Sequence, residues 1–188
     1  MQTQRLRALS ALEPPKPEAL PHIELYMDQV LSLVNGFLAQ TGETGMTKAM
    51  INNYSKAEVI PRPQRKRYTP DHVMAILLAH CLKQTVSLED SKRLLENAGE
   101  TAQAYRFYSD ALQTALTQAG RVEENLAQRP NDSALIARLA LAASAQAHAG
   151  KLLCESLLAL LPETAKKNEK NEKNEKMEKK ESKKENKK

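Results

Sequence analysis

Residues 47–68 read T-K-A-M-I-N-N-Y-S-K-A-E-V-I-P-R-P-Q-R-K-R-Y. Thr47 has the chemistry of an N-cap, and the helix it opens is predicted to run to Ala57. At about 100° per residue, Met50, Ile51, Tyr54 and Ala57 share one side of that helix. Lys48, Asn52, Asn53, Ser55 and Lys56 share the other, with only Ala49 among them. One face therefore anchors the helix and the other presents amides and amines. Ile60-Pro61 ends the segment, a basic ribbon follows, and Thr69-Pro70 caps and opens a further helix. This order predicts a winged helix-turn-helix, with one helix for a DNA groove and an extended wing for the flanking phosphates.

Each candidate contact has a chemical reason. Asn52 and Asn53 can pair bidentately with an adenine edge, while Thr47, Lys48 and Lys56 can reach phosphate or guanine. Adjacent asparagines are poor helix formers, so their place on an exposed face favours a function over an ordinary solvated surface. The ribbon Arg62-Pro63-Gln64-Arg65-Lys66-Arg67 holds four cations in six residues, and no acid lies between Glu58 and Asp71. Arg62, Arg65, Lys66 and Arg67, closed by Tyr68, are the predicted phosphate contacts of the wing. The competing reading of the ribbon is a solvated charged loop, or a sorting signal.

The flanks are helical. E-P-P-K-P-E-A-L-P makes residues 1–21 a flexible, extended arm. Ile23, Met27, Val30, Leu31, Val34, Phe37 and Leu38 predict a helix over 23–40, which T-G-E-T-G stops, with Gly42 and Gly45 able to take positive φ. Val73, Met74, Leu77, Leu78, Cys81 and Leu82 stripe the helix after Pro70. Ser87 with Asp90 opens another that ends near Gly99. Residues 22–98 are thus one expected domain. From Gly99 to Leu161 two long helices form an expected antiparallel hairpin. In the first, Tyr105, Tyr108, Leu112, Ala115, Ala119, Val122 and Leu126 recur at 3-4 spacing, the seam of a dimer. The second, 134–161, carries so few charges that burial on more than one side is expected. Residues 162–188, rich in Lys, Glu and Asn, are read as a disordered tail.

Charge does not by itself indicate a polyanionic partner. The net charge is +5 over 188 residues, but 11 Lys and 7 Glu lie from Pro162 onward. That leaves residues 1–161 at +1, so the ribbon is a local patch. Cys81 and Cys154 form no C-x-x-C and read as small buried hydrophobes. His22, His72, His80 and His148 are scattered, and no metal site is expected. No cofactor, catalytic constellation, signal peptide or membrane span is expected either, so the protein is read as cytoplasmic and not an enzyme.

M-I-N-N-Y-S-K-A-E-V-I-P-R-P followed by K-R-Y-T-P-D-H-V resembles the DNA-binding unit of the MerR family of bacterial regulators. There a helix with R-Y-Y-E leads to G-L-I-P-P, a wing and R-x-Y. The segment is more similar still to the bacterial domain-of-unknown-function family 1836, from about Leu20 to about Asn97. The resemblance makes Tyr54 the tyrosine of the recognition helix, Ile60-Pro61 the turn into the wing, and Lys66 and Tyr68 its closing pair. Asn52 and Asn53 stand where MerR proteins carry Arg and Tyr, so base contacts do not transfer. Glu58 replaces a C-cap glycine, so a different helix end is expected. The Asn-Gly wing turn is missing, so a shorter wing is expected.

These readings converge on a mainly helical (all-α) regulator of transcription. Its partners would be double-stranded DNA and a second copy of itself, on the nucleoid when bound, with a small-molecule or protein effector. The rival is a helical protein–protein interaction module whose winged unit is not used for DNA.

Overall fold

A computed structural model describes residues 4–129 and 131–162. The expected tail lies outside the described residues, apart from Pro162. The chain is all-α. In order come α1 (Gln4–Ser10), a 3-10 turn (Pro17–Ala19), α2 (Met27–Thr41), α3 (Lys48–Lys56), α4 (Pro70–Leu82), α5 (Leu88–Asn97), α6 (Thr101–Gln128) and α7 (Ser133–Leu160).

The core is built around α4. Nine consecutive residues, His72 to His80, are buried, so this helix is enclosed on every side rather than along a stripe. Val30, Val34 and Leu38 from α2, Ile51 and Tyr54 from α3, and Tyr105 from α6 close around it. His80 Nε2 meets Glu43 Oε2 at 2.9 Å, which ties the loop after α2 to the end of α4.

Capping residues set most boundaries where expected. Thr47 Oγ1 accepts from the Met50 N–H at 3.3 Å. The Thr69 N–H donates to His72 Nδ1 at 3.1 Å, with Pro70 opening α4. Ser87 Oγ accepts from the Asp90 N–H at 3.0 Å and donates to Asp90 Oδ2 at 2.6 Å.

Several expectations change. The helix expected from Ile23 begins at Met27, because Leu25 pairs with Tyr68 in an isolated antiparallel bridge. Leu25 N–H donates to the Tyr68 carbonyl and Tyr68 N–H to the Leu25 carbonyl, both at 2.8 Å, and Ile23 is left 67 % exposed. Gly42 takes a left-handed φ of 73°, but Gly45 does not. Gly45 serves close approach instead, since a Cβ there would lie 3.0 Å from Asn35 Oδ1.

The arm expected to be extended contains α1, which packs along α6 with Arg7 paired to Glu123 at 2.8 Å. Leu12 and Leu20, on either side of the prolines, are buried in the core. Burial on more than one side, in a helical hairpin or a dimer, was expected for the last helix; within the protomer only Leu158 of α7 is buried. Its 28 residues face α6 along Ile136–Gln146 and leave the far side in solvent.

Residues of the expected dimer seam pack within their own chain. Tyr105 is buried in the core and Tyr108 packs against it. Leu112 lines a small gap beside Phe37, Leu77 and Leu78. Ala119, Val122 and Leu126 face Leu6 and α7 across an apolar cleft.

Candidate nucleic-acid interface

The start of α3 is fixed from α2. Asn35 Oδ1 accepts from the Met46 N–H at 2.6 Å and Asn35 Nδ2 donates to the Met46 carbonyl at 3.1 Å. This two-point clamp, with Met46 itself buried, sets the angle at which α3 leaves the body. Ile51 and Tyr54 then anchor the helix at 0 % and 2 % exposure. Burial raises the Tyr54 hydroxyl pKa above its ordinary value, with Cys81 adding to the effect, so it stays neutral. The opposite face carries Lys48, Asn52, Asn53 and Lys56, all exposed. Asn52 and Asn53 make no side-chain hydrogen bond among the described residues, so their amides are available to a ligand. Thr47 is engaged as the cap, and Lys48 pairs with Asp28 at 2.7 Å on the surface.

The end of α3 differs from the sequence expectation. Glu58 adopts the left-handed conformation, φ 58°, that glycine usually supplies. The Val59 N–H donates to the Tyr54 carbonyl at 2.9 Å and the Glu58 N–H to the Ser55 carbonyl at 3.2 Å. These are the two bonds of a Schellman cap, with Tyr54 and Val59 supplying its apolar contact. The Glu58 carboxylate is held by Lys92 Nζ of α5 at 2.8 Å. Helix, cap and exit direction therefore survive without glycine.

Ile60, 2 % exposed, pins the chain before it emerges at Pro61 and Arg62. No strand forms among the described residues, so the expected wing is represented only by the turn of residues 64–67. It is a two-residue turn in which the Arg67 N–H donates to the Gln64 carbonyl at 2.8 Å. Arg65 and Lys66 occupy its central positions with φ of 49° and 61°. Positive φ at both central positions is the pattern of a type I′ turn, normally made by Asn and Gly. For side chains with a Cβ it costs on the order of 1–2 kcal/mol per residue. Both side chains stand at the exposed tip.

Behind the tip the loop is braced. The Arg67 guanidinium lies 4.1 Å from the centre of the Tyr26 ring. Tyr68 is buried, meets His72 edge-on at 5.7 Å, and holds the wing to the body through its bridge with Leu25. Tyr68 thus stands beneath the wing, while Arg62, Arg65 and Lys66 stand on it. Sequence reading missed Asn35 and Tyr26. Neither carries a local signal, because their partners are 11 and 41 residues away.

No group of three or more His, Cys, Asp or Glu side chains able to hold a metal occurs among the described residues. No helix there is long and apolar enough to cross a membrane. The family model described as Domain of unknown function (DUF1836) matches residues 15–113, just over half of the chain. The match runs from the proline-rich segment through α2 to α5 and into the half of α6 that packs on α4. No curated protein and no solved structure matches the chain.

Proposed function

We propose that this chain, which belongs to the DUF1836 family, is a DNA-binding transcriptional regulator that acts as a homodimer. In this reading the region 22–98 is a MerR-like helix-turn-helix whose wing has contracted to a turn. Helix α3 enters the major groove with Asn52 and Asn53 towards base edges. Lys48 and Lys56 flank them, and Arg62, Arg65, Lys66 and Arg67 grip phosphates.

One observation carries the reading. Two cationic residues are held at positive φ at the tip of a braced turn, directly after a helix whose exposed face is all polar apart from Ala49. Strain of this kind persists where the surroundings enforce it, and it concentrates at functional sites. The two acids bordering this surface, Asp28 and Glu58, are matched by Lys48 and Lys92. The local field therefore stays positive on a body that is close to neutral.

The test is selection of bound sequences from random or genomic DNA, followed by a salt titration. If each protomer neutralises about four phosphates, the logarithm of the binding constant falls with log salt at a slope of about −7. Arg65→Glu with Lys66→Glu should weaken binding to all sequences and flatten that slope. Asn52→Ala should cost about 1–3 kcal/mol at one base position only. A salt-independent titration would sink the reading.

The exposed apolar side of α7 favours a second reading, a helical interaction module that does not use DNA. In that case deletion of 99–161 abolishes function, while the Arg65 and Lys66 charge reversals leave it intact.

A further inference from the structure

Helix α7 carries three fixed charges in 28 residues, Arg138, Lys151 and Glu155. Its solvent side is apolar, with Leu141 at 70 % and Leu152 at 50 % exposure. A surface of this kind, on a helix about 42 Å long, is unpartnered among the described residues.

The order of residues on that side identifies its partner. Starting at Ala134, the exposed stripe steps by 4, 3, 4, 3, 4, 3 and 4 residues and ends at Ala159. The spacing reads the same in both directions about a point between Gln146 and Ala147. At mirrored positions the side chains are alike for Leu141 and Leu152 and opposite in charge for Arg138 and Glu155. Leu141 and Leu152 are equidistant from that point, as are Ala145 and His148, and so are Arg138 and Glu155. All of these residues are exposed. Lys151 meets Glu155 at only 3.8 Å with both side chains about half exposed, a contact too weak to withhold the carboxylate.

We infer that α7 is a self-complementary docking surface for a second copy of this chain, packed antiparallel along this stripe about a two-fold axis at Gln146/Ala147. The 3-4 steps give the knobs-into-holes seam of a left-handed pair. Small residues at Ala134, Ala145 and Ala159 let the backbones approach closely. Each Leu141 meets the other copy's Leu152, and each Arg138 faces the other copy's Glu155, twice by symmetry. Parallel packing would set Arg138 against Arg138 and Glu155 against Glu155, so charge selects the antiparallel arrangement. The Arg138/Glu155 and Leu141/Leu152 pairs complement themselves about this axis, which is what a second copy supplies. The inference deepens the dimer of the reading above by naming its surface, a different one from the α6 seam.

The test is sedimentation of the full chain without DNA. The wild type should show twice the 21.0 kDa chain mass. Arg138→Glu or Glu155→Arg alone places like charges opposite each other and should raise the dimer dissociation constant by at least about tenfold. The double exchange R138E/E155R should bring it back close to wild type. All the changed side chains are exposed, and unchanged far-UV circular dichroism confirms the fold of each variant. Leu141→Glu should also give a monomer.

A monomeric wild type at about 100 μM would overturn the inference. So would single charge variants that dimerise as the wild type does, or a double exchange that stays monomeric. A dimer broken by Val122→Glu but untouched by these changes would place the contact on α6 and overturn it as well. A dimer that binds no DNA would leave the inference standing and remove the DNA reading. A monomer that binds DNA would do the reverse.

Discussion

Helices α4 and α7 are both rich in Leu and Ala, yet nine of the thirteen residues of α4 are buried against one of the 28 in α7. The difference lies in their neighbours. Helices α2, α3, α5 and α6 close around α4, while α7 rests mainly on α6. Apolar composition states a demand for burial, and topology decides whether one chain can meet it. For α4 the demand is met within the protomer and sets the orientation of α3 and the wing. For α7 it is left open on a surface where Leu141 and Leu152 stand between the opposite charges of Arg138 and Glu155.

The sharpest way to break this contrast is to truncate one side chain in each helix. Ile76→Ala, at 0 % exposure, should lower the unfolding free energy by about 2–5 kcal/mol in urea denaturation. Leu141→Ala should change the stability of the isolated protomer by no more than about 0.5 kcal/mol. Its full effect should appear only as protein concentration rises, because the burial it loses is between copies. Equal, concentration-independent losses at both positions would mean that α7 is part of the protomer's own core.

The pH dependence separates the two helices next. Cys81, near the end of α4, has its pKa raised from the ordinary 9.0 to about 11, first by desolvation and then by the nearby Glu43 carboxylate, with a Tyr108 hydrogen bond opposing. The folded state holds this proton more tightly than the unfolded chain. Its contribution is therefore complete below about pH 9 and is lost as pH rises through about 11. Tyr105, raised to about 12 by burial, extends the loss to higher pH. Unfolding free energy should fall by on the order of 2 kcal/mol between those limits, and Cys81→Ala should remove much of the slope. An alkaline slope unaffected by Cys81→Ala would show that the thiol is solvated in the folded protein.

Helix caps give a smaller contrast. Ser87→Ala removes the α5 cap beside α4 and should cost about 1 kcal/mol of global stability. Asp132 Oδ1 caps α7 through the Leu135 N–H at 2.9 Å. Asp132→Ala should appear instead as faster amide exchange in the first turn of α7, since opening that turn uncovers little buried surface. A large global loss from Asp132→Ala would show that α7 folds with the core.

The caps also mark the boundary of what could be read from sequence. Thr47, Thr69-Pro70, Ser87, Gly42 and Gly99 act through partners within a few residues, so α3, α4 and α5 were legible to within a residue or two. The presenting face of α3 followed from its period. What was not legible depends on distant partners. Leu25 leaves the helical pattern because it pairs with Tyr68. The arm folds because Leu12 and Leu20 find the core and α1 finds α6. The bracing of the wing by Tyr26 and of α3 by Asn35 depends on the tertiary fold in the same way.

The smallest expected effect lies at Glu58, on the shell that holds α3 against α5 beside α4. Glycine there would remove left-handed strain of about 1 kcal/mol. It would also remove the carboxylate that meets Lys92, a pair at the surface worth between about 0 and 1 kcal/mol. The two terms oppose each other, so Glu58→Gly should change stability by only a few tenths of a kcal/mol, more often as a gain. A double-mutant cycle separates them. Lys92→Ala should cost up to about 1 kcal/mol when residue 58 is Glu and nearly nothing when it is Gly. If Lys92→Ala costs the same in both backgrounds, Lys92 acts through Glu96 or its own packing, and Glu58 keeps its conformation without the Lys92 pair. Either result bears on the wing, because the direction in which residues 60–67 leave the body is fixed by how residue 58 turns.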